Sequence, residues 1–532
     1  MEHIEIILAG LLAAIVALVV LADRLRVPYP IMLVLGGLAI AFVPGVPDVD
    51  LDPELVLLIF LPPLLYSGAF FSSLRDLRDN LRPIGLLSVG LVLATVFAVA
   101  VLGHEVIGLP WAVAFVLGAI VSPTDPVAAL AIASRLGVPR RVSTILEGES
   151  LINDATALVA YRVAVVAVVS GSFSAVDAGG RFLLNGLGGL VIGLGVGVII
   201  VAVRRRLDDP PLEITVSLLS GYAGYLPAEE LGVSGVVAAV TVGLWLGWRA
   251  PQLTTPAMRI QGLAVWEILT FLLNSFLFIL IGLQLPTILD GLSGEPVSTL
   301  AWYGVLISVV VIGVRIVWVF ILTYLPRALM PRLTARDPYP DPRNVAVIAW
   351  TGMRGAVSLA AALAVPLTVD SGAPFPERDL LIFLTFCVIF ATLVVQGLTL
   401  PAIIHLLGIE DDGDHEREEN EARLRATRAA LQRMSDLTEE EWVFSDSLER
   451  MRGMYDYRRR RFEAQFDDGD DGGYEARSSQ WARLSREIMA AERQALLELR
   501  NGGQISDQVM RRVERDLDLQ ESQLGDLGSR ID

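Results

Sequence analysis

Residues 110–136 read PWAVAFVLGAIVSPTDPVAALAIASRL, an apolar run interrupted near its middle by two prolines and an aspartate. At ~1.5 Å of rise per helical residue, the run is long enough to cross the ~30 Å hydrocarbon core of a bilayer. Pro123 and Pro126 each remove a helical hydrogen bond, so the helix should break around Asp125. A charged side chain at that depth is costly unless it has a partner or a water-filled cavity. The stretch therefore predicts a broken membrane-spanning helix with a functional carboxyl group at the break.

Similar apolar runs extend over residues 4–406 and are separated by short polar connectors. Each is roughly 17 to 29 residues long, which suits a transmembrane helix. Strands are not expected, because lipid cannot satisfy unpaired backbone groups and the runs lack the alternation of a barrel. The sequence thus predicts an all-α polytopic membrane protein with about 13 transmembrane helices. The predicted spans are 4–22, 28–43, 53–71, 83–103, 110–136, 142–170, 182–203, 211–227, 231–248, 262–285, 299–325, 345–366 and 378–406.

Arginines are concentrated in every second loop. The loop after the third span, for example, carries Arg75, Arg78 and Arg82, whereas the loops after even-numbered spans contain only Arg181 and Arg378. Basic residues gather in loops that stay cytoplasmic, so we expect the N-terminus outside and the C-terminus in the cytoplasm. The first run lacks a basic n-region and a cleavage site, which predicts a retained helix.

The chain changes character after the last span. Residues 409–532 contain 20 arginines against 31 aspartates and glutamates, a net charge of −11. We therefore predict a transmembrane domain over 1–408 and an acidic, helical cytoplasmic tail over 409–532, either regulatory or merely solvated. The predicted amphipathic helices of the tail and the acidic link between the last two are 416–435, 438–466, 475–499 and 467–473.

Four charged side chains within the spans lie at a similar depth. Counted from the nearest loop arginine, each is about 15 to 20 Å from the cytoplasmic boundary and so close to the bilayer midplane. These residues are Asp125, Asp154, Arg315 and Arg354. Arg162 is by the same measure about 30 Å away, near the outer boundary, where its long side chain can reach water.

The sixth span contains a polar stretch, residues 147–154, with two helical faces. The i,i+4 spacing sets Ser150 beside Asp154 and Glu149 beside Asn153. The first face, with Asp125 and the carbonyl group of Thr124, offers the hard oxygen ligands that Na+ or Li+ requires. The predicted cation-binding residues are Thr124, Asp125, Ser150 and Asp154.

The second face of this stretch has a different expected partner. Glu149 and Asn153 can satisfy a buried arginine, and Arg315 is the expected one; a purely structural ion pair is the alternative. Five further polar residues in spans have no matching constellation and are interpreted as packing or helix-contact residues: Glu213, Glu267, Asn274, Gln284 and Gln396.

The twelfth span carries Thr351-Gly352-Met353-Arg354-Gly355, in which two glycines flank the midplane arginine. Glycine weakens a helix locally, so we predict a second broken helix there. The fifth and twelfth spans occupy matching positions in two groups of three, as inverted repeats require, and should cross at the site. Arg354 would then compensate half-helix dipoles or restrain the negative charge of the site.

Together these motifs resemble the monovalent cation/proton antiporter family that includes bacterial NhaP-type proteins and eukaryotic NHE exchangers, particularly its bacterial sodium/proton branch. The resemblance extends over about residues 1–410. It rests on Thr124-Asp125-Pro126, Glu149-Ser150-Leu151-Ile152-Asn153-Asp154 and Gly352-Met353-Arg354-Gly355.

The resemblance implies a division of labour among the spans. A dimerisation domain is expected at about 4–71 and 182–285, and a mobile core at about 83–170 and 299–406, so the protein should be a homodimer. Thr124, Asp125, Ser150 and Asp154 match cation-site positions of the family, and Glu149 and Asn153 match positions that contact an arginine like Arg315. An Asn–Asp pair, here Asn153 and Asp154, implies electroneutral one-for-one exchange. Some archaeal relatives have an acidic residue in the third span where this chain offers Ser67.

We therefore predict a secondary transporter of the bacterial plasma membrane that exchanges Na+, or else Li+ or K+, for H+ and serves pH homeostasis. A partly desolvated Asp154 would carry either a proton or, when ionised, a metal ion. A cation channel, or a sensor that signals through the tail, is the alternative. No Walker A, GxSxG or HExxH motif is present, so we expect no enzyme activity. We also expect no cofactor and no nucleic-acid partner, only the transported ions and the lipid bilayer.

Overall fold

The computed structural model describes residues 2–44, 53–171, 175–290, 292, 296–409, 413–440, 442–464 and 473–528. The chain divides into two compact units, Met1–Asp411 and Asp412–Asp532. Within the described ranges the regular structure is helical, and β pairing is confined to one isolated bridge between Thr368 and Pro374. The predicted all-α fold is confirmed.

Helices of the first unit follow the predicted spans closely. Seven of its described helical segments are long and apolar enough to cross a membrane, and shorter apolar helices accompany them. The helices are α1 (Glu2–Leu25), α2 (Tyr29–Ala41), α3 (Pro53–Phe71), α4 (Leu74–Asp79), α5 (Leu81–Gly85), α6 (Val92–Leu102), α7 (Trp111–Val121), α8 (Val127–Arg135), α9 (Arg140–Ser170), α10 (Ala175–Arg204), α11 (Pro210–Glu230), α12 (Gly235–Leu253), α13 (Pro256–Leu283), α14 (Leu285–Asp290), α15 (Val297–Leu329), α16 (Pro331–Arg336), α17 (Pro342–Trp350), α18 (Ala356–Leu363), α19 (Arg378–Phe390) and α20 (Gly397–Leu407).

Short π-helical segments join some of these helices into longer ones. Leu86–Leu91 connects α5 to α6, Gly103–Ile107 extends α6, and Ala391–Gln396 connects α19 to α20. The fourth and thirteenth predicted spans are therefore continuous helices over Leu81–Ile107 and Arg378–Leu407.

Two spans are broken, where the sequence predicted. The fifth span is divided into α7 and α8 by Ser122–Pro126, and the twelfth into α17 and α18 by Thr351–Gly355. The prolines explain the first break and the paired glycines the second.

Close backbone contacts join the helices of the predicted dimerisation domain. A side chain at Gly37 of α2 would overlap the carbonyl oxygen of Ile279 in α13, and one at Gly247 of α12 would overlap that of Phe70 in α3. Small residues let membrane helices approach this closely, and dispersion contacts then stabilise the pair. These helices form a compact scaffold beside the two broken helices.

The described part of the second unit contains four α-helices: α21 (Asp414–Asp436), α22 (Ser445–Ala464), α23 (Tyr474–Asn501) and α24 (Asp507–Gly528). Three match predicted tail helices, although α22 begins seven residues later than predicted, after a short 3-10 turn. The fourth, α24, was not predicted. It pairs with α23 through Arg493, which forms salt bridges of 2.6 Å with both Asp518 and Glu521. The predicted acidic link lies outside the described residues except for Gly473.

Candidate cation site

The two helix breaks meet each other. The backbone N–H of Asp125, in the first break, donates a 2.8 Å hydrogen bond to the carbonyl of Met353, in the second. A side chain at Gly355 would overlap the carboxylate of Asp125. Glycine is therefore required at this position for steric reasons, since the carboxylate occupies the space of a Cβ atom.

Two buried arginines cover the ends of the half-helices that stop at the breaks. Arg354 donates from Nε to the carbonyl of Val121, the last residue of α7, at 3.0 Å. Arg315 donates from Nε and Nη2 to the carbonyl of Ile348, near the end of α17, at 3.2 and 2.9 Å. Helix C-termini carry partial negative charge, so each guanidinium compensates one of them. Of the two roles considered for Arg354, this contact matches compensation of a half-helix dipole.

Asp125 also caps a half-helix. Its Oδ1 accepts a 2.9 Å hydrogen bond from the backbone N–H of Val127, the first residue of α8. A carboxylate at a helix N-terminus satisfies an unpaired donor and interacts favourably with the dipole. The capping bond fixes the direction of the carboxyl group at the break.

A buried polar network lies behind the breaks. Arg315 pairs with both carboxylate oxygens of Glu149, and the Nη2···Oε2 distance is 2.9 Å. The Thr124 hydroxyl donates to Glu149 Oε1 at 3.0 Å and accepts from Asn153 Nδ2 at 2.7 Å. A two-point, charge-assisted pair of this kind is directional and holds α9 against α15.

One expected contact is corrected by this network. Asn153 bonds Thr124 rather than Arg315, because the extended chain of the break brings the Thr124 side chain between the two helices. Since the Thr124 hydroxyl is used in the network, its carbonyl remains the group predicted for cation binding.

The candidate ligands lie around one cavity of about 530 Å³. Asp154 is buried, with 7% of its surface exposed, and no protein group in the described residues hydrogen bonds its carboxylate. The cavity lining contains the four predicted ligands and their possible neighbour Ser67, with Glu147, Glu267, Asn274 and Ser358 as further polar residues. The four predicted ligands are Thr124, Asp125, Ser150 and Asp154.

Ser67 has a local partner as well. Its hydroxyl donates to the Leu64 carbonyl at 3.0 Å, within α3. A hydroxyl oxygen that donates in this way can still accept or coordinate through a lone pair.

The two ends of the cavity differ. Toward the arginine-rich end of the bundle the lining includes Phe71 and Ser72, at the end of α3, and Glu147 of α9. At the other end an apolar cluster of Val56, Leu277 and Ala360 packs between α3, α13 and α18. The cavity lining therefore reaches from the two aspartates to the arginine-rich end and, at the opposite end, to this apolar cluster.

An ion pair also joins α9 of the predicted mobile core to α11 of the predicted dimerisation domain. Arg162 of α9 contacts Glu229 of α11 at 2.6 Å, and both side chains are partly exposed. Glu229 also accepts from the backbone N–H of Gly235 at 3.1 Å. Arg162 thus has a specific partner on the scaffold and does not merely reach solvent.

Sequence reasoning missed two buried features. Glu213 has a partner, since its carboxylate lies 3.7 Å from Arg204 and both side chains are fully buried. Ser358 of α18 lines the cavity. Its position three residues after Gly355 puts it on the same helical face as the glycine that touches Asp125, and this spacing was the available signal.

The geometry is accompanied by a family match over most of the chain. A family model described as "Sodium/hydrogen exchanger, transmembrane" matches residues 10–406. The chain belongs to this family. As a member of the sodium/hydrogen exchangers it is a transporter and not an enzyme.

Named relatives agree with this assignment. The exchanger is 39% identical to a protein of Mycobacterium tuberculosis described as an uncharacterized Na+/H+ exchanger, over 98% of this chain and 96% of the relative. It is 34% identical to the sodium, potassium, lithium and rubidium/H+ antiporter of Bacillus subtilis, over 71% of this chain and 58% of the relative.

A solved structure has a similar fold. The sodium proton antiporter of Methanocaldococcus jannaschii superimposes on the exchanger with a TM-score of 0.59 and 22% identity, covering 77% of this chain and all of the archaeal one. At this identity the likeness concerns the fold.

Proposed function

We propose that this protein exchanges Na+ for H+ across the bacterial plasma membrane, one for one, with both ions competing for Asp154. The observation that carries the proposal is the pairing of charges around the cavity. Arg315 and Arg354 are directed to Glu149 and to helix ends. The carboxyl groups of Asp125 and Asp154 are left facing the cavity.

The charges of this layer favour an electroneutral cycle. When all five groups are ionised, Asp125, Glu149 and Asp154 carry three negative charges, and Arg315 and Arg354 carry two positive ones. The net charge of −1 is neutralised by one Na+ or one H+. Uncompensated charge within a membrane is costly, so the loaded site crosses in either form and the empty ionised site does not.

Asp154 is the group that we assign to the competition. Asp125 is already held by the N–H of Val127, whereas the Asp154 carboxylate has no protein donor among the described residues. A carboxylate without donors gains most from a bound cation or proton. Thr124, through its carbonyl, and Ser150 would complete the ligands, with Ser67 as a neighbour. K+ and Li+ are further candidate cargoes, in line with the name of the Bacillus subtilis relative.

The motion that we propose is an elevator movement of the core, α5–α9 and α15–α20, against the scaffold, α1–α3 and α10–α13. The cavity lies between these groups, with Asp154 on one wall and Leu277 of α13 on the other. Sliding of the core would move the two aspartates past the apolar cluster to the opposite side. We further propose that the scaffold forms the homodimer contact and that the arginine-rich face is cytoplasmic.

A channel is the less favoured candidate. A pore needs a continuous polar path, whereas one end of this cavity is lined by the apolar cluster of Val56, Leu277 and Ala360.

Exchange assays in proteoliposomes test the proposal. With an imposed pH gradient, the wild type should move protons in proportion to added Na+, and Asp154→Asn should reduce exchange to background. Asp79→Asn, a change at an exposed aspartate of α4, is the matched control and should exchange normally. Normal exchange by Asp154→Asn would refute the assignment, and Na+ flux without proton movement would indicate a channel.

A further inference from the structure

Ser358 is a buried polar residue in the wall of the cavity, and its side chain is 1% exposed. Its hydroxyl group has no hydrogen-bond partner. Among the described residues, it shares with Asp154 the property of being a buried polar side chain that lines this cavity without a hydrogen-bond partner. A buried hydroxyl without a partner is unfavourable, so an occupant of the cavity is expected to satisfy it.

The position of Ser358 in its helix explains why the hydroxyl is free. Many buried serines and threonines of the core donate to the carbonyl four residues earlier, as Ser308 does to Gly304 at 2.7 Å. Thr95 and Ser275 are also buried without a partner, but neither lines the cavity. For Ser358 that carbonyl belongs to Arg354, which lies in the break before α18 begins. The break thus removes the usual local partner and leaves the hydroxyl available to a ligand.

Ser358 also lies close to the cation ligands. It is three residues after Gly355, and residues at this spacing share one helical face. On that face the carboxylate of Asp125 fills the space of the missing Gly355 side chain. The Ser358 hydroxyl is therefore next along α18 from Asp125, on the wall opposite the scaffold helices.

We propose that the Ser358 hydroxyl is an additional oxygen ligand of the transported cation, supplied by the second broken helix. This inference rests on the proposed exchange function. A hydroxyl can coordinate a hard cation through a lone pair and, when the site is protonated, donate to a carboxyl oxygen. The cation would then be held by residues of both broken helices, which would move together.

The test separates a ligand from a structural serine. Ser358→Ala should raise the KM for Na+ about fivefold, as expected for one lost polar contact, and should change the maximal rate by less than about twofold. Ser358→Thr keeps the oxygen and should restore the wild-type KM. Ser308→Ala is the matched control, because it removes a buried serine whose hydroxyl is satisfied within α15.

A structural serine predicts a different result. Removal of a buried hydroxyl without a partner is neutral or stabilising, and KM would not change. An unchanged KM in Ser358→Ala therefore overturns the proposal. If Ser358→Ala does not fold, Ser358→Cys replaces it, since sulfur is a poor ligand for a hard cation and a KM equal to that of wild type would have the same meaning.

A binding measurement keeps this test independent of transport. Na+ should raise the melting temperature of the purified wild type, and half of the rise should need about five times more Na+ in Ser358→Ala. Equal Na+ dependence in the two proteins refutes Ser358 as a ligand. Failure of the wild type to exchange would instead refute the proposed function, and the thermal comparison would still decide the role of Ser358.

Discussion

The backbone N–H of Asp125 donates a 2.8 Å hydrogen bond to the carbonyl of Met353, and this bond joins the two broken helices. Each break frees backbone groups that neither helix can satisfy alone, and each supplies a partner for the other. The two joined breaks also fix the Asp125 carboxylate between the starts of α8 and α18. There the carboxylate accepts a hydrogen bond from the N–H of Val127 and fills the space beside Gly355. The breaks therefore form one structural unit.

The contact between the Asp125 carboxylate and Gly355 predicts the effect of adding one methyl group at position 355. Gly355→Ala should reduce exchange to near background, because the new Cβ atom would displace the Asp125 carboxylate. Gly313→Ala in α15 adds the same group where nothing lies within 4 Å, and should leave exchange unchanged. Initial rates in proteoliposomes compare the two, and equal rates would show that the carboxylate position is not critical.

The Glu149–Arg315 pair predicts a strong coupling in stability. Glu149→Leu or Arg315→Leu alone should cost about 3 to 5 kcal/mol, because each leaves a buried charge unpaired. The double variant should recover part of this loss, since no uncompensated charge remains. Melting temperatures of the four proteins in detergent form the cycle. Additive losses would mean that the two side chains do not depend on each other.

The charge balance of the midplane layer predicts that exchange does not depend on membrane potential. One Na+ and one H+ each neutralise the net charge of −1, so neither half of the cycle moves net charge. Initial rates should be equal with the vesicle interior held at zero potential or at a negative potential set by an inward gradient of a permeant anion such as thiocyanate. A rate that rises with the potential would indicate that more than one proton moves for each cation.

The Arg162–Glu229 pair should limit how fast a reagent reaches the apolar end of the cavity, and its removal should speed this reaction. A cysteine at Val56, in the apolar cluster, should react slowly with an impermeant thiol reagent added at the arginine-poor face. Arg162→Ala in the same background should speed the reaction by up to about fivefold, since exposed ion pairs contribute at most about 1 kcal/mol. The sole native cysteine, Cys387, lies in α19 and gives the background signal in the parent protein.

The charge-reversed pair is the control for this prediction. Arg162→Glu combined with Glu229→Arg should return the reaction to the slow rate, because the attraction is restored. If neither Arg162→Ala nor the reversed pair changes the labelling, the ion pair does not hold the two groups of helices together.

Much of this architecture could be predicted from the sequence. Pro123 and Pro126, and Gly352 and Gly355, marked both breaks because these residue types act on the backbone itself. The Glu149–Arg315 contact could be predicted from the depth of these side chains in the membrane, because two opposite charges near the bilayer midplane have few other partners. The proposed roles of the site residues remain predictions until exchange is measured.

Contacts that depend on side-chain direction could not be predicted. Asn153 turned out to bond Thr124, because the path of an irregular segment decides where its side chains point. Glu213 and Arg204 belong to neighbouring helices whose mutual rotation the sequence does not give. In the tail, α24 is strongly charged, and it gains stability from pairing with Arg493 of α23, which local composition does not reveal.

The ion pair and apolar cluster at one end of the cavity have a consequence for the two sides of the membrane. In the proposed elevator cycle they would favour the conformation in which the cavity faces the arginine-rich side, so the opposite conformation would be the minor one. Apparent affinity weakens in proportion to the fraction of molecules in the competent conformation. One set of ligands would then be half-filled at a lower Na+ concentration from the cytoplasm than from outside. With the arginine-rich face toward the cytoplasm, as proposed, such a protein would respond to the sodium load of the cell and be little affected by external salt.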